Sequence, residues 1–98
     1  MYIISALYKF HNIPDPCKIH NEIREELKKN SIKGTVLVGS EGINGTISAR
    51  CSKNLNESLA FIRSISGFKN IDIKNSFSKK SPFVRLKVKL KKEIVTIG

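Results

Sequence analysis

Apolar and polar positions along this chain recur with two periods, one close to two residues and one close to four, and the switches between them mark out the elements. Residues 2–10, YIISALYKF, are dense in β-branched and aromatic types and predict a buried strand. Tyr2, Ile4, Ala6, Tyr8 and Phe10 share one parity of it. Large apolar side chains usually pack inside, so this set is expected in the core. "HNIPDP" then breaks the strand, and Asp15 before Pro16 marks a helix start, with Asp as N-cap and Pro in the first turn. Ile19, Ile23 and Leu27 recur every four residues and predict an apolar stripe on a helix over 16–29. Glu22, Glu25 and Glu26 precede Lys28 and Lys29, as the helix dipole favours, and Asn30 and Gly34 close the segment.

The short apolar run TVLVG (35–39), the loop EGING and the alternating TISA together predict a hairpin. Its turn is expected at Asn44-Gly45, because a type I′ turn needs positive φ at both central residues. Glu41 and Gly42 exceed what such a tight turn needs, which marks the loop motif Glu41, Gly42, Asn44, Gly45 for a role toward a neighbouring domain or its RNA. A second helix is expected from about Asn54, with Glu57 completing a capping box. Leu55, Leu59, Ile62 and Ser66 fall on one face, Phe61 and Ile65 lie beside it, and Gly67 stops it. IDIKNSF (71–77) alternates as a half-exposed strand, SKKSP is a polar turn, and RLKVKLK (85–91) alternates strictly. The order β-α-β-β-α-β(-β) predicts an α+β ferredoxin-like sandwich, an antiparallel sheet with two helices on one face. The other face is expected to be open and to carry the last strand's cations. One domain spans 1–98, with no internal repeat or low-complexity linker. "EIVTIG" (93–98) resumes an apolar run and stops, so the chain is expected to be part of a longer protein.

Charge turns that open face into a candidate site. Eighteen Lys and Arg against eight Asp and Glu leave +10, a field that attracts nucleic acid or an anionic surface unless it only reflects a Lys-rich genome. Arg85, Lys87, Lys89 and Lys91 share one face of a single strand, with Lys79 and Lys80 in the turn before and Lys92 after. Same-face residues recur about every 6.5–7 Å, close to the phosphate spacing of an extended single strand, so this ladder could track an RNA backbone with a steep salt dependence. The competing use is an edge strand protected from aggregation by lysines. The aromatic run of the RNA-recognition motif is absent.

Other chemistry is thin. Cys17 and His20 stand three apart on the first helix, but His11 and Cys51 do not complete a ligand spacing, so no metal site is expected and the cysteines read as buried or incidental. The chain has no CxxC motif, no signal peptide (Lys9 and His11 interrupt the first apolar run) and no apolar stretch of about 20 residues. A reduced, cytoplasmic chain without membrane contact is the expectation. No Ser-His-Asp set, P-loop or paired-carboxylate motif occurs, so no catalytic residue and no cofactor are expected in this chain. An acylphosphatase would need an arginine in the loop after the first strand. That loop reads "HNIPDP", and Asn44 alone cannot carry the activity.

Two stretches, "EGINGT" (41–46) and "SPFVRLKVKLKKEIVTIG" (81–98), resemble the N-terminal domain of the rhodanese-related tRNA uridine hydroxylases, once grouped as rhodanese-like sulfurtransferases. "LYKF" in the first strand and the two helices fall in the family's order, and Ser40 departs from a common proline. The resemblance implies an acylphosphatase-like domain of an enzyme that hydroxylates the wobble uridine of certain tRNAs at C5, using oxygen. It also implies a C-terminal rhodanese domain, absent from this chain, that holds the catalytic cysteine loop. tRNA and that rhodanese domain are the implied partners. Packing on the rhodanese domain, or dimerisation of the parent protein, is the alternative to tRNA binding.

Overall fold

The computed structural model describes residues 1–91. Lys92 and the EIVTIG run lie outside the described residues. The elements are β1 (Tyr2–Phe10), α1 (Pro16–Lys29), β2 (Lys33–Gly39), β3 (Gly42–Ala49), α2 (Ser52–Ser64), β4 (Asp72–Ser78) and β5 (Leu86–Leu90). They form one five-stranded sheet in the order β4-β1-β3-β2-β5. This is the expected α+β ferredoxin-like arrangement, with one modification of the sheet. The first four strands pair antiparallel, whereas β5 joins β2 in parallel. The chain leaves β4 at one edge and returns to the far edge, so β5 runs in the direction of β2.

Helix α1 starts where the sequence marks it. The Asp15 carboxylate accepts a hydrogen bond from the Lys18 backbone N–H at 3.1 Å, and Pro16 occupies the first turn. Helix α2 begins at Ser52 rather than at Asn54. The Leu55 N–H already donates to the Cys51 carbonyl, so Asn54 and Glu57 stand inside the helix and form no capping box. α1 packs on β2 and β5, and α2 packs on β3 and α1. Beneath them Leu7, Ile23, Leu27, Val36, Val38, Ile43, Ile47, Ile62 and Phe68 are buried. Each such side chain contributes roughly 1.5–3 kcal/mol by leaving water. Between the helices the buried Asn30 amide donates to Ser58 Oγ at 3.0 Å and to Glu26 Oε2 at 2.8 Å, which satisfies the polar groups there.

Two expectations about faces and turns are overturned. In β1 the buried parity is Ser5 and Leu7; Ala6 and Phe10 are exposed, and Tyr2, Ile4 and Tyr8 are half-buried. Register decides this, because Ser5 pairs with Ile47 and Leu7 with Gly45 on the helix-covered side. Ser5 tolerates burial by donating its hydroxyl to Asn75 Oδ1 at 2.6 Å. The hairpin turn is Ser40–Glu41, with Gly39 paired to Gly42, while Asn44 and Gly45 lie inside the central strand β3. Among the described residues Ser31 is the only non-glycine with positive φ, so this turn is not type I′. The pairing of Val38 with Ile43 and Gly34 with Ile47 brings buried apolar residues together, and that register outweighs the local turn preference of Asn-Gly.

Candidate nucleic-acid interface

The sheet face away from the helices is uncovered, and strand register fixes which side chains stand on it. One row across the sheet runs Asp72, Tyr8, Asn44, Leu37, Lys89; the next runs Lys74, Ala6, Thr46, Thr35, Lys87. Lys87 and Lys89 are exposed, while Leu86 and Val88 turn to the helix side and are half-buried. Arg85 and Lys91 continue the parity of the lysines just outside β5. Their backbones remain tied to β2, Arg85 through its carbonyl to the Gly34 N–H and Lys91 through its N–H to the Val38 carbonyl. Lys33 of β2 and Lys74 of β4 add cations that sequence reasoning missed, since only the pairing puts them on the face of Lys87. In these rows Asp72 is the one carboxylate among the described residues.

β5 is an edge strand, so its lysines do guard against edge-to-edge pairing. The outer side of β5 is also engaged: His20 on α1 donates its Nε2–H to the Val88 carbonyl at 2.7 Å. Edge protection and a cationic face are therefore properties of the same residues. Lys79 and Lys80 belong elsewhere. They follow β4 at the opposite edge, where Ser78 Oγ donates to the Lys80 carbonyl and accepts from the Lys80 N–H, so they do not extend the β5 ladder.

The centre of the face is lightly furnished. Ala6, Tyr8, Asn44, Thr46, Asp72 and Lys74 border an open depression of about 650 Å³. Tyr8 and Phe10 meet edge to face, with ring centroids 5.2 Å apart and planes at 73°. Phe10 is 49 % exposed. These aromatics are the residues that sequence parity assigned to the core.

The EGINGT motif divides. Gly42 has φ +145°, and a Cβ there would lie 2.1 Å from the Lys9 carbonyl oxygen. Gly45 has no positive φ, but a Cβ on it would lie 2.4 Å from the Thr35 carbonyl oxygen. Both glycines let neighbouring strands approach closely, and that is a structural role. Glu41 is exposed on the turn, and Asn44 stands on the open face between Tyr8 and Leu37. The turn is anchored by the β1–α1 loop, whose His11 and Ile13 N–H groups donate to the Glu41 and Ser40 carbonyls at 2.9 and 2.8 Å. With those amides engaged and the Asp15 carboxylate on the α1 N-terminus, the loop does not fit a phosphate cradle.

Cys17 and Cys51 are both exposed rather than buried. Cys51 forms no side-chain cap of ordinary geometry, yet the Asn54 and then the Lys53 backbone N–H at the α2 N-terminus favour its thiolate and lower its pKa from the ordinary 9.0. Among the described residues no three His, Cys, Asp or Glu side chains converge on a metal position, and no helix is long and apolar enough to cross a membrane.

Residues 2–94 match the family described as the UPF0176 acylphosphatase-like domain. The chain is 43 % identical over 97 residues to a tRNA uridine(34) hydroxylase of Agrobacterium fabrum and 41 % identical over 97 residues to one of Rhizobium etli. Each match takes in 99 % of this chain and 31 % of the relative, so the chain spans about a third of the length of these curated relatives. Among solved structures, full-length HypF in its phosphate- and nucleotide-bound form superposes with a TM-score of 0.58 at 14 % identity, over 92 % of this chain and 11 % of that one. That likeness concerns the fold alone.

Proposed function

The chain belongs to the UPF0176 acylphosphatase-like domain family, and from that premise we propose that it is the N-terminal, tRNA-holding domain of a cytoplasmic, oxygen-dependent tRNA uridine 5-hydroxylase. In this reading the phosphates of the tRNA lie along Arg85, Lys87, Lys89 and Lys91, and hydroxylation of the wobble uridine takes place in a rhodanese domain that follows in the parent protein. Phosphate contacts of this kind position the RNA and leave the choice of base to other groups. One observation carries the reading. Register gathers Lys33, Lys87, Lys89 and Lys74 onto the uncovered sheet face, with Asp72 as the only opposing carboxylate in its rows among the described residues.

The test is tRNA binding by the full-length parent protein across a salt series. Lys87→Ala with Lys89→Ala is expected to weaken binding and to flatten the log–log salt slope by about 1.5, from roughly 0.7–0.9 per lost phosphate contact. Unchanged affinity and slope at low and moderate salt would sink the reading.

A second reading rests on a different observation. Phe77 is 66 % exposed on the β4 edge, paired with Ile3 on the parity opposite the cationic rows, and Val84, next to Arg85, is 91 % exposed. Apolar side chains left open in this way suit packing on the rhodanese domain or on a second copy of the parent. Sedimentation of the parent with Phe77→Ser and Val84→Ser separates this role, since altered shape or association with tRNA affinity intact favours it.

A further inference from the structure

We propose that Phe10, with Tyr8 behind it, is a stacking platform for one unpaired base of an RNA strand that crosses the sheet from β1 toward β5. The proposal rests on the RNA-holding reading above and adds what that reading leaves out, the part of the RNA that is gripped apart from its phosphates.

The core does not account for these rings. Leu7 and Ser5 fill the helix side of β1, so Tyr8 and Phe10 stand on the side no helix covers. Phe10 is half exposed, and its edge-to-face contact with Tyr8 holds the ring in one orientation. Directly opposite Phe10 in register is Gly42, which has no side chain, and the exposed Glu41 of the adjoining turn borders the same depression as the ring. An exposed, pre-oriented ring accepts the flat face of any base, and a base can present that face only when it is unpaired and unstacked.

Charge gives the strand its direction. On the β4 side Asp72, next to Tyr8, offsets Lys74 in the adjoining row, whereas on β5 Lys89 and Lys87 close the same two rows with no carboxylate between them. From β1 to β5 is three strand spacings, about 14 Å, which an extended strand covers in about two nucleotide steps. The row of Phe10 runs through Gly42 and Gly39 toward Lys91, so a base on Phe10 places the following phosphates at the Lys91–Lys89 end of the ladder. A partner protein with an apolar surface would gain nothing from the cations at the end of these rows, so charge complementarity favours RNA.

Fluorescence anisotropy on the full-length protein separates the contributions, using single-stranded hexauridylate, an abasic ribose–phosphate hexamer of equal charge and a duplex RNA. Hexauridylate is expected to bind more tightly than the abasic hexamer at the same salt. Phe10→Leu keeps the apolar bulk but removes the aromatic face. It should lower hexauridylate affinity about 5- to 100-fold, the range of one base–aromatic stack, with the abasic hexamer and the salt slope unchanged. Phe10→Tyr should restore binding. Equal affinity for the two hexamers, preference for the duplex, or an indifferent Phe10→Leu overturns the platform, even where Lys87→Ala with Lys89→Ala still weakens binding and the RNA-holding reading stands. A Phe10→Leu protein that changes its sedimentation but not its RNA affinity identifies the ring as a protein contact and overturns the platform too. If no probe binds and the lysine substitutions change nothing, the platform and the underlying reading fail together.

Discussion

Leu7 is 1 % exposed on the helix side of β1, whereas Phe10, three residues on and on the other side, is 49 % exposed. The same contrast continues across the sheet, with Val36, Val38, Ile43 and Ile47 buried on one side and Thr35, Leu37, Asn44 and Thr46 only half-buried on the other. In most strands the covered side is also the more apolar. In β1 it is not, because Tyr2, Ile4, Ala6, Tyr8 and Phe10 outweigh Ile3, Ser5, Leu7 and Lys9 in apolar surface. Hydrophobicity on the covered side is explained by packing. Hydrophobicity on the open side of a protein carrying +10 needs another account, and contact with an anionic partner that has flat apolar faces supplies one.

If the two faces differ in this way, substitutions on them should separate stability from binding. The largest loss of stability is expected for Ile47→Ala, a fully buried side chain of the central strand. It should cost about 2–5 kcal/mol in denaturant unfolding, from lost transfer energy and the cavity left behind. Next comes Gly42→Ala, where a side chain must adopt φ +145° against the Lys9 carbonyl. Backbone strain alone is worth about 1–3 kcal/mol. A neutral Gly42→Ala would mean that the motif's glycine is not there for strand approach and would return it to the candidate site. Smallest are Lys87→Ala with Lys89→Ala, and Phe10→Leu, each expected within about 0.5 kcal/mol of the parent in the same unfolding measurement. A large stability loss from either would erase the distinction between a packing face and a binding face.

Most of the elements were legible in the sequence, and their boundaries follow local chemistry. Asp15-Pro16 fixes the start of α1 through a side-chain cap, and Ile23 and Leu27 are buried at the spacing that predicts them. The candidate site was legible in part. Lys87 and Lys89 reach the open face because β5 alternates strictly, and any docking of that strand by its apolar side turns the lysines outward. Lys33, Lys74, Tyr8 and Phe10 were not legible as members of the site. Their place on it depends on pairing with β3 and β4, far away in the chain.

Asn44-Gly45 shows the limit most clearly. As a dipeptide it favours a turn, yet it lies within a strand. Seating Val36, Val38, Ile43 and Ile47 under the helices stabilises the sheet by far more than one turn preference can oppose. What the sequence by itself determined is the periodicity: where helices and strands lie, that β5 sorts apolar from cationic, and which family the chain resembles. Only the tertiary structure decided which parity of β1 is covered, where the hairpin turns, and that Lys79 and Lys80 sit at the edge opposite Lys87. Alternation is a local property of a strand, whereas the side that helices cover and the register of pairing are set by contacts between residues distant in sequence.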